Sequence, residues 1–110
     1  MQVLKFGGTS VANADNILKV IDIIRLAAEK DQTIVVVSAL GGTTNLLIEA
    51  GRLAAVHDVL YKEKLQEFGD RHQLVVLKLI PIDQQIGMLK RVKEKCSELE
   101  SICEAVFLLR

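Results

Sequence analysis

Three things are scarce or missing in the sequence, and each absence closes a class of function. There is no net charge: 14 Lys and Arg balance 14 Asp and Glu over 110 residues. The basic footprint of a nucleic-acid binder, or of a protein held on an anionic bilayer, is therefore lacking, and neither nucleic acid nor membrane is expected as a partner. No apolar run approaches the roughly 18 residues a membrane span needs, and stretches such as Ile34–Val37 are strand-sized. The opening Met1-Gln2-Val3-Leu4-Lys5 has no basic region followed by a long apolar stretch and a small-residue cleavage site. No secretory signal is read there, and a cytoplasmic location is expected. Cysteine is limited to Cys96 and Cys103 in a helical pattern, about 10 Å apart along the axis and beyond disulfide reach. Neither His57 nor His72 stands at a zinc-motif spacing from them, and no Cys-x-x-Cys occurs. No metal site is expected, and both thiols read as small buried hydrophobes in a reducing compartment.

What is present is aliphatic: 50% of the residues are hydrophobic and 4% aromatic. Burial of that surface can offset the ordering entropy of one globular domain. Val3–Phe6 reads as a short strand stopped by Gly7-Gly8. From Val11 to Lys30 the apolar residues Ile17, Leu18, Ile21, Ile24, Leu26 and Ala28 recur at helical steps. After a turn at Asp31-Gln32, the segment Thr33–Ser38 is β-branched and apolar on both faces, as a central strand of a parallel sheet is. A helix is predicted from Asn45 to about His57, helix formers continue from Asp58 to Phe68, and Gln73–Ile80 is read as helix rather than strand. Pro81, a favoured first-turn residue, opens a long amphipathic helix whose stripe runs Ile82, Ile86, Leu89, Val92, Cys96, Leu99, Cys103, Val106 and Arg110. The charge block Lys90–Lys95 reads as its solvated face.

One internal similarity outweighs any single element. Twice the chain passes from an apolar strand into Gly-Gly, then hydroxyl residues, then an amphipathic helix: Phe6-Gly7-Gly8-Thr9-Ser10 and Leu40-Gly41-Gly42-Thr43-Thr44. The spacing is that of a βαβ crossover, which brings both turns to the carboxyl edge of a parallel sheet, where open α/β proteins bind ligands. Paired glycines let backbone N–H groups approach an anion, and a following helix adds the positive end of its dipole. Thr9 and Ser10 can cap that helix or donate to a phosphate oxygen, and Lys5 replaces an apolar residue at the strand end. The bland reading is a pair of tight turns, a hydroxyl N-cap and a lysine snorkelling from an edge strand. Two such turns beside one lysine favour phosphate. No Gly-Lys-Ser/Thr follows four residues after a glycine and neither turn carries Gly-x-Gly-x-x-Gly, so a P-loop or dinucleotide enzyme is disfavoured.

These residues carry a resemblance. Lys5-Phe6-Gly7-Gly8-Thr9-Ser10-Val11 is similar to the opening signature of aspartate kinases in the amino acid kinase family. Val36-Val37-Ser38-Ala39-Leu40-Gly41-Gly42-Thr43-Thr44-Asn45 resembles that family's second motif, Ser-Ala, a glycine loop and Thr-Asn. The opening through Ala12-Asn13-Ala14 resembles most the bifunctional aspartate kinase–homoserine dehydrogenases. The likeness is specific over residues 1 to about 50. It implies an α/β fold, the amino-terminal part of an amino acid kinase-type αβα sandwich, helix-rich with few parallel strands. It implies ATP and L-aspartate as substrates with Mg²⁺ bridging the phosphates, 4-phospho-L-aspartate as product, a place at the start of lysine, threonine and methionine biosynthesis, and a homo-oligomer. By the same resemblance Lys5 neutralises charge on the transferring phosphoryl group, and Gly7, Gly8, Thr9, Ser10 and Ser38 line the phosphate site. Thr44 and Asn45 would help hold aspartate.

The family's kinase domain is far longer, and no Gly-Glu dipeptide, which the family uses for substrate, occurs here. A strand as apolar as Ile34–Val37 also expects more neighbours than two strands supply. Residues 1–110 are therefore expected to be one truncated unit from the start of a kinase domain, holding part of its site and inactive alone. The alternatives are a non-catalytic nucleotide- or anion-binding module and a module that self-associates through its long helix.

Overall fold

The computed structural model describes residues 1–109. Strand β1 (Gln2–Phe6) pairs in parallel with β2 (Thr33–Val37), in a register running from Gln2 opposite Thr33 to Phe6 opposite Val37, and α1 (Ala14–Lys30) is the crossover between them. Three helices follow: α2 (Thr43–Ala55), α3 (Tyr61–Leu79) and α4 (Ile82–Leu109). The sequence reads as one unit, whereas the contacts divide the chain into two compact units, Met1–Gly42 and the residues from Thr43 onward.

In the first unit the amino edge of the sheet is stapled by side chains. Gln2 Nε2 donates to the Ala27 carbonyl at 2.8 Å and to Thr33 Oγ1 at 3.0 Å, joining the start of both strands to the last turn of α1. The Asp31 carboxylate accepts from the Met1 ammonium and from the Gln32 N–H, both at 2.7 Å, and these bonds hold its carboxyl below the usual aspartate range. Buried apolar residues of this unit are few: Val11, Ala14 and Val20. β2 is bare where a central strand was expected, with exposure running from 37% at Val35 to 55% at Val37, because among the described residues it has β1 as its one strand neighbour.

Helix α1 starts later than its apolar pattern suggests. The cap is Asn13, extended at φ −152° and ψ 174°, whose side chain accepts from Asn16 N–H at 2.9 Å. Thr9 and Ser10, the hydroxyl caps expected from the sequence, belong instead to a preceding turn in which Ser10 N–H donates to the Gly7 carbonyl and Val11 N–H to the Gly8 carbonyl. Asp15 in the first turn and Lys30 in the last complement the helix dipole.

The second unit is a three-helix assembly with its own core. Ala50, Leu53 and Ala54 of α2, Tyr61 and Leu65 of α3 and Cys103 of α4 are buried together, with Leu47, Leu99, Val106 and Phe107 packed around them. Helix α2 begins at Thr43, two residues before the pattern suggests, and stops at Ala55 rather than His57. There His57 N–H returns to Ala54 and Asp58 N–H to Leu53, a Schellman closure with His57 in the left-handed region at φ 60°. Helix α3 fuses the two stretches read separately in the sequence and runs through Gly69, and its 73–79 part is helical as expected. Its C-terminal carbonyls are met by Gln85 Nε2, which donates to Ile80 O at 2.8 Å and Leu77 O at 3.3 Å. The α4 stripe packs from Leu89 to Val106, but Ile82 and Ile86 stay 85% and 83% exposed, and Arg110 lies outside the described residues. The block Lys90–Lys95 is solvated except at Val92. Cys103 is buried as expected; Cys96 is only half-buried and lines a groove of about 350 Å³ between α3 and α4. Burial raises both thiols above their ordinary pKa, which keeps them protonated. Among the described residues no helix is long and apolar enough to cross a membrane.

Candidate functional site

The parallel ladder decides where the two glycine turns meet. Phe6 and Val37 are the last paired residues of their strands, and the ladder is extended by Ser38 N–H donating to the Phe6 carbonyl at 3.1 Å. Gly7-Gly8 and Ser38–Gly42 therefore leave the same carboxyl edge, as a βαβ unit requires. The turns are in backbone contact there. A Cβ added at Gly8 would lie 3.4 Å from Gly41 Cα and 3.6 Å from Ser38 Oγ. One added at Gly41 would overlap the Gly8 carbonyl oxygen and reach Ala12 Cβ at 3.0 Å.

The four turn glycines are thus not equivalent. Gly42 is needed for conformation, at φ 84°. Gly41 is needed for space. Gly7 is exposed, and a Cβ there meets nothing within 4 Å. The fold makes no steric demand for glycine at that position, which leaves its bare backbone open to a ligand.

Two backbone donors of the first turn lack acceptors. Among the described residues no group accepts from the Gly8 or Thr9 N–H, while the Thr9 carbonyl takes Asn16 Nδ2 at 3.0 Å. Lys5 is the one charged side chain in the strands and in the turns between residues 2–12 and 33–42. It lies exposed on the same face of β1 as Val3 and makes no ion pair among the described residues. The nearby hydroxyls differ in freedom: Ser38 Oγ donates to the Ala39 carbonyl at 2.6 Å, Thr9 is exposed and Ser10 half-buried. A cation and unspent backbone donors with no carboxylate among them can hold an anion, and phosphate oxygens match that donor set. The same residues offer no carboxylate to a divalent cation, and no cluster of three or more His, Cys, Asp or Glu able to hold a metal occurs among the described residues.

The structure brings Lys5, Gly7, Gly8, Thr9, Ser10 and Ser38 into the first unit, and Gly8 and Ser38 into proximity. Thr44 and Asn45 belong to the second unit, exposed in the first turn of α2. Two features escaped sequence reasoning. Asn13 and Asn16 brace the first turn, and the signal was an asparagine just before the helical period. The contact between Gly8 and Gly41 spans the crossover and leaves no local signal.

The chain matches the amino acid kinase family over residues 1–100. It is 55% identical over 47 residues to an aspartokinase of Rickettsia conorii, a match covering 42% of this chain and 12% of that protein. It is 30% identical over 117 residues to a bifunctional aspartokinase/homoserine dehydrogenase of Buchnera aphidicola, covering 100% of this chain and 14% of that one. Its structure superposes on E. coli aspartokinase III, solved in complex with aspartate and ADP, with a TM-score of 0.80 at 26% identity, covering 99% of this chain and 23% of the other. Where nearly the whole chain is matched, it thus spans between about a seventh and a quarter of the length of these relatives.

Proposed function

The chain belongs to the amino acid kinase family, and from that premise we propose that it is the amino-terminal portion of an aspartate kinase catalytic domain, carrying the phosphate half of the site and inactive alone. The parent reaction is attack of the L-aspartate side-chain carboxylate on the γ-phosphorus of ATP. A new carboxyl O–P bond forms, the bond from the γ-phosphorus to the bridging oxygen breaks, and ADP leaves with 4-phospho-L-aspartate as the other product. The nucleophile is already ionised at neutral pH, so the protein's task is positioning and charge stabilisation. That agrees with the absence of His and Cys from both turns. Lys5 neutralises charge on the transferring group. The backbone of Gly7, Gly8 and Thr9, with the hydroxyls of Thr9, Ser10 and Ser38, surrounds the phosphates, and Thr44 and Asn45 contribute to holding aspartate. Mg²⁺ arrives on the nucleotide rather than on this chain, because neither turn offers it a carboxylate. Aspartate and ADP are the ligands of the solved relative. Two free thiols suit a reducing compartment such as the cytoplasm.

The observation that carries this reading is that, among the described residues, Lys5 at the end of β1 has no ion pair and the Gly8 and Thr9 N–H of the turn that follows it find no acceptor. Calorimetric titration of Mg-ATP into the chain and its Lys5→Ala variant tests it. Loss of one charge-assisted contact, about 1.5–3 kcal/mol, weakens binding by roughly ten- to a hundredfold. Equal affinities would remove Lys5 from the phosphate site. An aspartyl-phosphate assay giving turnover near the ordinary enzyme range of about 1 s⁻¹ or more would overturn the claim of inactivity. Homo-oligomerisation is a second reading, favoured by the exposure of Ile82 and Ile86 at the start of α4, and sedimentation as a strict monomer would dismiss it for this chain.

A further inference from the structure

We propose that Gly41 is a positioning residue of the phosphate site: its missing side chain lets the second turn seat the Gly8–Thr9 peptide and so fixes the direction of the Thr9 N–H toward an anion. The inference rests on the phosphate reading of the two turns and adds a residue to which that reading gives no role.

The steric observation is one-sided. A Cβ at Gly41 cannot be placed without overlapping the Gly8 carbonyl oxygen, and it also crowds the Gly8 carbonyl carbon and Ala12 Cβ, each at 3.0 Å. Two of these three atoms are backbone, so no side-chain rotation relieves the overlap. The peptide unit must tilt or the turns must separate. The Gly8 carbonyl has a second task, accepting Val11 N–H at 3.3 Å. In a planar trans peptide the carbonyl and the following N–H point in opposite directions, so whatever holds the Gly8 carbonyl also aims Thr9 N–H. That N–H has no acceptor among the described residues. Gly41 touches no ligand in this scheme and acts through Gly8.

The experiment compares the chain with Gly41→Ala and Gly41→Val by amide exchange and by titration with Mg-ADP, following the Thr9 amide proton. The disturbance grows with side-chain size. In Gly41→Val the protection of the Val11 amide falls at least tenfold, the ADP-induced shift of the Thr9 amide is lost and ADP affinity drops about tenfold or more, with Gly41→Ala between that variant and the parent. Amides of α1 and of the paired β1 and β2 residues, in the same unit as Gly41, keep their shifts in all three proteins, which separates the effect from unfolding of that unit. Retention of Val11 protection and of the Thr9 response in Gly41→Val, with normal ADP binding, overturns the role of Gly41 and leaves the phosphate reading standing. A flat ADP titration of the unsubstituted chain overturns the phosphate reading itself, and the proposal with it.

Discussion

His57 does two jobs that pull its backbone and its side chain in different directions. It closes α2 in the left-handed region, at φ 60°, where a residue with a Cβ is strained. Its ring then reaches across to α4: Nδ1 lies 2.7 Å from the Phe107 carbonyl, which can only accept, so this nitrogen carries the hydrogen, and the two rings meet edge-on at 5.9 Å. The backbone cost can be isolated from the ring contact by comparing two variants that both lose the ring. His57→Gly is expected to be more stable than His57→Ala by about 1 kcal/mol, the ordinary cost of a Cβ in this conformation, as read from urea midpoints at constant slope. Equal midpoints would show that the left-handed closure is not kept. Residue types at this scale were unevenly legible. Lys5 and the Gly-Gly pairs announce themselves because lysine in a strand and paired glycines are locally unusual. The pattern ends the helix near His57, but histidine is not the usual residue for a left-handed closure, so nothing in the sequence marks this conformation or the ring's contact with Phe107.

Elements were legible where period decides and blurred where caps do. Both strands and helices α1, α2 and α4 follow from apolar spacing and β-branching while α3 reads as two stretches, yet α1 starts at Ala14 rather than Val11 because Val11 N–H is committed to the Gly8 carbonyl and Asn13 supplies the cap. Gln85 closes α3 from the following helix, a contact no scan of α3 alone could reveal. Glycines inside helices give a test at this scale. A Cβ at Gly51 in α2 meets nothing within 4 Å, whereas one at Gly69 in α3 comes to 3.1 Å from Cys96 Sγ. Gly51→Ala should therefore stabilise the chain by up to about 1 kcal/mol through propensity alone. Gly69→Ala should gain less or lose stability, since the thiol must give way. Paired thermal melts order the two variants, and the reverse order would contradict the contact.

At the scale of the molecule the two units are unequally cored. The helical unit buries Leu53, Tyr61, Leu65 and Cys103 in one cluster, while the strand unit buries only Val11, Ala14 and Val20 and leaves all of Ile34–Val37 exposed. Local opening follows buried contact, so amides of β1 and β2 should exchange at least tenfold faster, about 1.4 kcal/mol less protected, than those of Leu53 and Leu65. Uniform protection would mean a single cooperative unit. This inequality was half legible. The apolar faces of β2 already asked for more cover than two strands give, but the division at Gly42 arises from contacts among distant residues and has no signature in composition. The candidate site was read in the same partial way: its residues came from the two motifs, and the unequal duties of Gly7, Gly41 and Gly42 needed coordinates.

The packing of Phe107 sets a timetable for synthesis. Tyr61, at 5.6 Å, and His57 both wait for a ring that follows His57 by 50 residues. The helical core cannot close until that ring leaves the ribosome. The strand unit emerges first but has little of its own to bury, and its parallel ladder must wait for the whole of α1. Until Phe107 has emerged the helical unit has no finished interior, and the exposed valines of β2 are then the part of the nascent chain most in need of chaperone cover.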